Sequence, residues 1–380
     1  MPRARPAIIS RLPSPGDPSA SVTCPLPGSP PMREAPSRLE GIQALRALAA
    51  LLVVLDHCLL KFTAAGHLPL WVEPFAYRSG SAGVALFFVI SGFIMARTAS
   101  HPRGRGAARR FIARRLLRIA PLYWLATLIY AARLAAGGEA VAPLDLLRSV
   151  LFVPYFDADQ ALRPVLGVGW TLNFEMYFYL VFAVSLLLPA RLGLAAIAAF
   201  LVASATFGAL AAAPDNALAT LLTSPMLLYF LAGLALHALA AKRPLPALTA
   251  RTATLLGLPA VAAMLIDSAT IPFLAPALVL AAAWLRPGRV GAPVLALGDA
   301  SYSTYLFHGF LLGPLATLML ASQTSPWATA AFLILAVSGS QLCGLAVHLA
   351  IERPMLRAVR TYLPPRTPLR TQVSARDQVV

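Results

Sequence analysis

Apolar runs of membrane-spanning length recur from residue 42 to residue 350, and this repetition constrains the chain more than any other feature. A bilayer core about 30 Å thick needs roughly 20 apolar residues in a helix. Ten segments approach that length: 42–61, 80–96, 118–135, 168–188, 192–213, 218–240, 251–267, 271–285, 300–320 and 328–350. Charged residues make up 12% of the chain and the mean hydropathy is +0.72. A soluble protein of this size would carry about twice that charged fraction. The expected fold is therefore all-α, a polytopic membrane bundle of about ten transmembrane helices.

The charges test that count. Arg33, Arg38 and Arg46 precede or open the first segment, and Arg97 to Arg118 between the second and third include eight arginines and no acid. Further basic residues fall at Arg191, at Lys242, Arg243 and Arg251, at Arg286 and Arg289, and after Arg353. The intervening loops hold the acids instead: Glu73, Glu139, Asp145, Asp157, Asp159, Asp215 and Asp267. The bias alternates at each crossing, and the positive-inside rule then puts both termini in the cytoplasm. The formal net charge of +16 follows from this topology, and nucleic acid is not expected as a partner; membrane lipids are, since a belt of arginines contacts anionic headgroups.

Residues 1–38 are rich in Pro, Ser and Arg, lack an apolar stretch that reads as a signal peptide, and are expected to be a disordered leader. Residues 39–355 form the transmembrane domain, and 356–380 are read as a cytoplasmic tail. Cys24, Cys58 and Cys343 show no metal-ligand spacing and no disulfide framework. No metal site is expected.

Ionisable side chains at membrane depth mark function or pathway. Arg46, Asp56 and His57 lie in the first segment, Glu175 in the fourth, His237 in the sixth, His308 in the ninth and His348 in the tenth. Arg46 and His57, eleven residues apart, project from one helix face about 16 Å apart along the axis. The fourth segment runs in the opposite direction, and its Glu175 is expected at the depth of His57. His308 is expected near mid-membrane, so His57, Glu175 and His308 should meet in one polar cavity. Each also has a structural reading: a lone histidine often bonds between helices, the reading preferred for His237 and His348, and Glu175 could pair with an arginine. Arg115 and Arg118, three apart, share a helix face. They serve either as part of the topological belt or as a fork onto the phosphates of a cytoplasmic donor.

These residues sit in recognisable strings. GIQALRALAALLVVLDH, GVALFFVISGFIM, RRLLRIAPLYWL, GWTLNFEMYFYLVF, SYSTYLFH and Ile351-Glu352-Arg353-Pro354 follow in that order over about residues 38–355. The series resembles the integral-membrane acyltransferase-3 family, and Asn173-Phe174-Glu175-Met176 resembles its members in exopolysaccharide production. The resemblance implies transfer of an acyl group, usually acetyl, from cytoplasmic acyl-CoA to a hydroxyl of a cell-surface polysaccharide or a lipid-linked sugar, at a bacterial inner membrane. It implies acetyl-CoA or another acyl-CoA as co-substrate and no permanently bound cofactor. The family's motif histidine falls on His57 and its glutamate on Glu175; its arginines fall on Arg46, Arg115 and Arg118, where the donor would bind. Asp56, a candidate catalytic residue, stands where the family more often has an aromatic or aliphatic residue, and it either pairs with His57 and raises its basicity or only polarises the cavity. Trp170, Asn173 and His308 are expected to contact the acceptor. No soluble domain of the kind found in two-domain relatives is read after residue 355, so the membrane part should suffice or need a partner. The alternative is a proton-coupled secondary transporter of a small anionic or sugar substrate, because intramembrane His, Asp and Glu also build proton relays.

Overall fold

Among the described residues each of the ten apolar segments contains helix, the sixth in two pieces, Ala217–Leu222 and Leu227–Lys242. The computed structural model of the protein describes residues 39–98, 103–211, 216–242, 248–286, 288–320 and 325–362; the leader expected at 1–38 and the end of the tail, from 363, lie outside these. The helices are α1 (Glu40–Ala64), α2 (Glu73–Thr98), α3 (Arg105–Ala136), α4 (Pro143–Val150), α5 (Trp170–Ser185), α6 (Ala190–Leu210), α7 (Ala217–Leu222), α8 (Leu227–Lys242), α9 (Ala250–Ile266), α10 (Ile271–Ala283), α11 (Ala292–Leu320), α12 (Pro326–Val347) and α13 (Arg353–Tyr362). A π-helical turn, His348–Glu352, joins α12 to α13, so the helical chain continues past residue 355. Among the described residues no strand forms; a lone bridge pairs Leu248 with Leu285.

Among the described residues, six helical stretches are long and apolar enough to cross a membrane: Glu40–Ala64, Leu70–Arg97, Arg105–Ala136, Ala190–Leu210, Ala217–Ala240 and Trp327–Val359. The protein is thus a multi-pass helical bundle. Backbone polar groups in a bilayer must be satisfied within the chain, which leaves helices as the spanning form when no closed sheet exists. Prolines 121, 259, 276 and 314 lie inside helices. α11 remains helical through Gly309, Gly313 and Pro314.

The central layer is α1, α2, α8 and α11. Lipid supplies no hydrophobic drive between helices, so small residues that allow close backbone approach matter more than bulk. Gly92 of α2 and Gly233 of α8 meet at their crossing, where a Cβ on either would run into the other helix's backbone. Gly298 abuts the backbone of Gln43 in the same way and sets α11 against α1. Aromatic stacking fills the gaps beside these contacts: Phe230 stacks on Phe88 at 4.4 Å and on Phe178 at 4.3 Å between ring centroids, joining α8, α2 and α5.

The contacts also fix helix directions. On α2, Gly80 lies against Asp56 and Gly83 against Val53 and Ala49, so α2 is antiparallel to α1. α11 runs parallel to α1, with Gly298 beside Gln43 and His308 beside His57. α3 runs parallel to α11, since Tyr302 bonds the Ile119 carbonyl at 2.8 Å and Phe310 meets Tyr130 at 5.9 Å. α5 packs antiparallel to α3, with Gly169 against Tyr123 and Tyr179 against Phe111. Arg46 near the start of α1 and the arginine-rich start of α3 therefore lie toward one end of the bundle, the basic end. One belt arginine has a structural duty there: Arg103 donates to the carbonyls of Ser185 (3.1 Å) and Leu188 (3.0 Å) at the end of α5.

Candidate active site

Polar side chains occupy two levels of the bundle. The level farther from the basic end centres on His57. Its Nδ1 lies 2.9 Å from the carbonyl of Val53, one turn back on α1. A carbonyl only accepts, so Nδ1 carries a proton, and in the neutral ring Nε2 then has the lone pair. Asp56 places Oδ2 3.4 Å from the same Nδ1. The carboxylate occupies a niche opposite Gly80, where even a Cβ would overlap it, and its Oδ1 is buried with no hydrogen-bond partner. Asp56 therefore reaches His57.

From α11, the His308 ring meets the His57 ring edge-on, with centroids 4.9 Å apart and planes at 72°. His308 is 1% exposed, whereas His57 is half-buried. Its Nδ1 lies 3.1 Å from the carbonyl of Thr304, again one turn back, and its buried Nε2 has no partner. Two imidazoles on parallel helices are thus held in the same tautomer by the same i−4 device.

Glu175 is elsewhere. It accepts a hydrogen bond from Ser91 Oγ at 2.8 Å and another from the Tyr179 hydroxyl one turn along α5. Ser91 is eleven residues past Gly80 on α2, and Gly80 marks the level of Asp56, so Glu175 sits about 16 Å toward the basic end. The α5–α11 contact agrees in sense: Thr171 Oγ1 meets the Tyr305 hydroxyl at 2.6 Å, Glu175 lies one turn beyond Thr171 toward the basic end, and His308 nearly one turn beyond Tyr305 the other way. The expected meeting of Glu175 with His57 is corrected by this. Counting residues from the start of the fourth segment assumed that the segment begins at the far membrane face. In fact α5 is only 16 residues long and begins at Trp170, well inside the bundle.

The second level gathers charge around Arg46. Its Nη1 donates to Gln43 Oε1 at 3.2 Å, and Gln43 Nε2 donates to Asp299 Oδ1 at 3.0 Å. Arg46 interacts electrostatically with Arg118, Glu352, Asp299 and Glu175, from four other parts of the chain. Arg115 is half-buried with its guanidinium over the rings of Tyr179 (5.3 Å) and Phe111 (5.7 Å), and it interacts electrostatically with Glu175 and Arg118. Arg118 is exposed. The three arginines expected to act together therefore do converge, with one guanidinium open at the mouth of the group.

Trp170 and Asn173 open α5 on the side toward the histidines. Trp170 meets Phe174 edge-on at 5.8 Å. Asn173 is buried, and its Oδ1 has no hydrogen-bond partner. His237 packs edge-on against Phe93 at 5.4 Å, in line with a packing role.

Several site residues escaped the sequence reading. Glu352 is buried and accepts from Ser303 Oγ at 2.6 Å, with His348 Nδ1 2.7 Å away on the same carboxylate oxygen. The π-helical turn His348–Glu352 aims both inward, and such turns are frequent at functional sites. Tyr305, bonded to Thr171 and to the Val168 carbonyl at 2.6 Å, stands between the two levels. Ser91, Tyr179, Ser303, Tyr305 and Glu352 all belong to the strings quoted above, and membership of those strings was the available signal.

Together, the paired histidines and the charged level below them form the candidate site of a multi-pass helical protein. Residues 39–345 match the family described as Acyltransferase domain, and the chain belongs to that family. It is 38% identical over 303 residues to the exopolysaccharide production protein ExoZ of Rhizobium meliloti (strain 1021), covering 75% of this chain and 92% of that one. It is 33% identical over 169 residues to the putative membrane-bound transacylase BcsY of Komagataeibacter xylinus, covering 40% of this chain and 39% of that one. No solved structure matches. The protein is an acyltransferase, which decides against the transporter alternative.

Proposed function

We propose that the protein is an O-acyltransferase of a bacterial inner membrane that moves an acyl group, acetyl in the simplest case, from cytoplasmic acyl-CoA to a sugar hydroxyl of an exopolysaccharide or its lipid-linked precursor. The observation that carries this reading is the two-level column: a base with a free Nε2 at one end, three arginines at the other, and Tyr305 between. The printed name of the Rhizobium relative supports the acceptor class. Ten spans with both termini cytoplasmic make the basic end the cytoplasmic one.

In this reading Arg118, Arg115 and Arg46 hold the donor phosphates, since guanidinium groups fork onto phosphate oxygens with charge-assisted bonds. The acylated arm extends toward His57. His57 Nε2 takes the proton of the acceptor hydroxyl as its oxygen attacks the thioester carbonyl. The carbon–sulfur bond breaks, the new ester forms, and the proton passes from His57 to the departing thiolate. Asp56 and the Val53 carbonyl hold the Nδ1–H and so keep Nε2 pointed at the reacting atoms. Trp170, Asn173 and His308 contact the acceptor.

Incubating membranes that contain the protein with acyl-labelled acyl-CoA and the host's polysaccharide tests this. Labelled ester on the polysaccharide together with free CoA is the expected result. Release of neither would overturn it.

A further inference from the structure

Glu175 is too far from His57 to orient it, and its bonds point to another duty. Its carboxylate oxygen is shared by Ser91 Oγ of α2 and the Tyr179 hydroxyl of α5. Tyr179 is buried at 2% exposure, and its ring is the surface on which the Arg115 guanidinium lies, 5.3 Å from the centroid. Phe111, one turn before Arg115 on α3, meets the Tyr179 ring edge-on at 5.9 Å and lies under the same guanidinium. A guanidinium over an aromatic face is held by the negative face of the ring, and the hold strengthens where water is excluded. Glu175 also interacts electrostatically with Arg115 and with Arg46. The chain of contact therefore runs from the carboxylate through Tyr179 to Arg115, and on to the basic mouth.

We propose that Glu175 is a positioning residue for the donor: it fixes Tyr179, Tyr179 seats Arg115, and Arg115 with Arg46 and Arg118 then presents a preformed set of guanidiniums to the phosphates of the acyl donor. This rests on the donor reading given above. An unseated arginine must be ordered when the donor arrives, and that cost weakens binding. It does not weaken chemistry at His57, which lies at the other level. The carboxylate also offsets part of the repulsion among three arginines while the donor is absent, so the mouth stays assembled between turnovers.

The test is steady-state kinetics of the purified protein in lipid nanodiscs, with donor and acceptor varied in turn. Glu175→Gln keeps the shape and one acceptor oxygen but loses the charge. It should raise the KM for acyl-CoA about tenfold, with kcat and the acceptor KM within about twofold. Tyr179→Phe keeps the ring and loses the hydroxyl; it should raise the same KM less, and the double variant should cost less than the sum of the two, as expected for residues acting in one chain. Glu175→Asp, which restores the charge, should recover part of the loss. A monodisperse elution profile in detergent separates these effects from misfolding, and Tyr179→Phe serves alone if Glu175→Gln fails to fold. An unchanged donor KM with a raised acceptor KM, or a fall in kcat alone, would overturn the positioning role while leaving the donor reading intact. Absence of any acyl-CoA turnover or binding by the unmodified protein would remove the donor reading itself, and the positioning role with it.

Discussion

The rings of His57 and His308 stand edge to face, 4.9 Å apart, on two parallel helices, and each is bonded through Nδ1 to the carbonyl of its own preceding turn. The arrangement separates an accessible imidazole from a buried one. His57 is half-buried and presents Nε2 to the site; His308 is enclosed, its Nε2 meeting no protein partner. In the proposed mechanism the accessible ring is the base. His57→Ala should lower acyl transfer by at least 100-fold, the lower range for loss of a general base, with unchanged amounts of protein in the membrane. His308→Ala should cut transfer less steeply. Expression blots alongside transfer assays check both, and equal activity of His57→Ala and the unmodified protein would remove His57 from the mechanism.

Asp56 is the feature that sets this site apart from the pattern its strings otherwise follow. Its carboxylate sits 3.4 Å from His57 Nδ1 in a niche that only a glycine at position 80 leaves open. Asp56→Asn should lower kcat about tenfold while the KM for both substrates stays within about twofold. Gly80→Ala should reproduce the kcat loss, because the added Cβ displaces the same carboxylate. A kcat for Gly80→Ala equal to that of the unmodified protein would show that the position of the carboxylate does not matter.

Arg115 needs its shape as well as its charge. A lysine keeps the charge but neither spreads over the Tyr179 ring nor forks onto phosphate. Arg115→Lys should therefore raise the donor KM about as much as Arg115→Ala does, within about threefold, with correct membrane insertion in both. If lysine restores the KM fully, the residue belongs to the topological belt and not to the donor mouth.

The packing that holds α5 in place depends on Phe230, stacked between Phe88 and Phe178. Truncating a buried phenylalanine typically costs about 3–5 kcal/mol. Phe230→Ala should lower the thermal unfolding midpoint in detergent by several degrees and reduce activity through the loosened α5. A midpoint within one degree of the unmodified protein's would contradict this role.

The helical, multi-pass character of the fold was legible because spanning helices announce themselves by length and apolarity. The shared face of Arg46 and His57 was legible for a related reason: on one helix, eleven residues fix both face and depth, whereas the contact of Asp56 with His57 was not. The depth of Glu175 was not, since it depends on where α5 begins, and a loop that enters the bundle before Trp170 moves that start inward. Glu352 and Asp299 were missed because both lie at the edge of an apolar run, where a carboxylate reads as loop. Only the π-helical turn and the α1–α11 contact turn them toward Arg46. Ser91 and Tyr179 carry no charge and stood out in no pattern except the string that held them.

The most direct test of the central claim follows the acyl group itself. The purified protein in nanodiscs is given acyl-CoA labelled in the acyl carbonyl, together with the deacylated polysaccharide, and the polysaccharide is then analysed by mass spectrometry. Labelled O-acyl ester should appear with the unmodified protein and be lost with His57→Ala. Unlabelled polysaccharide from both, with the acyl-CoA intact, would contradict the assignment.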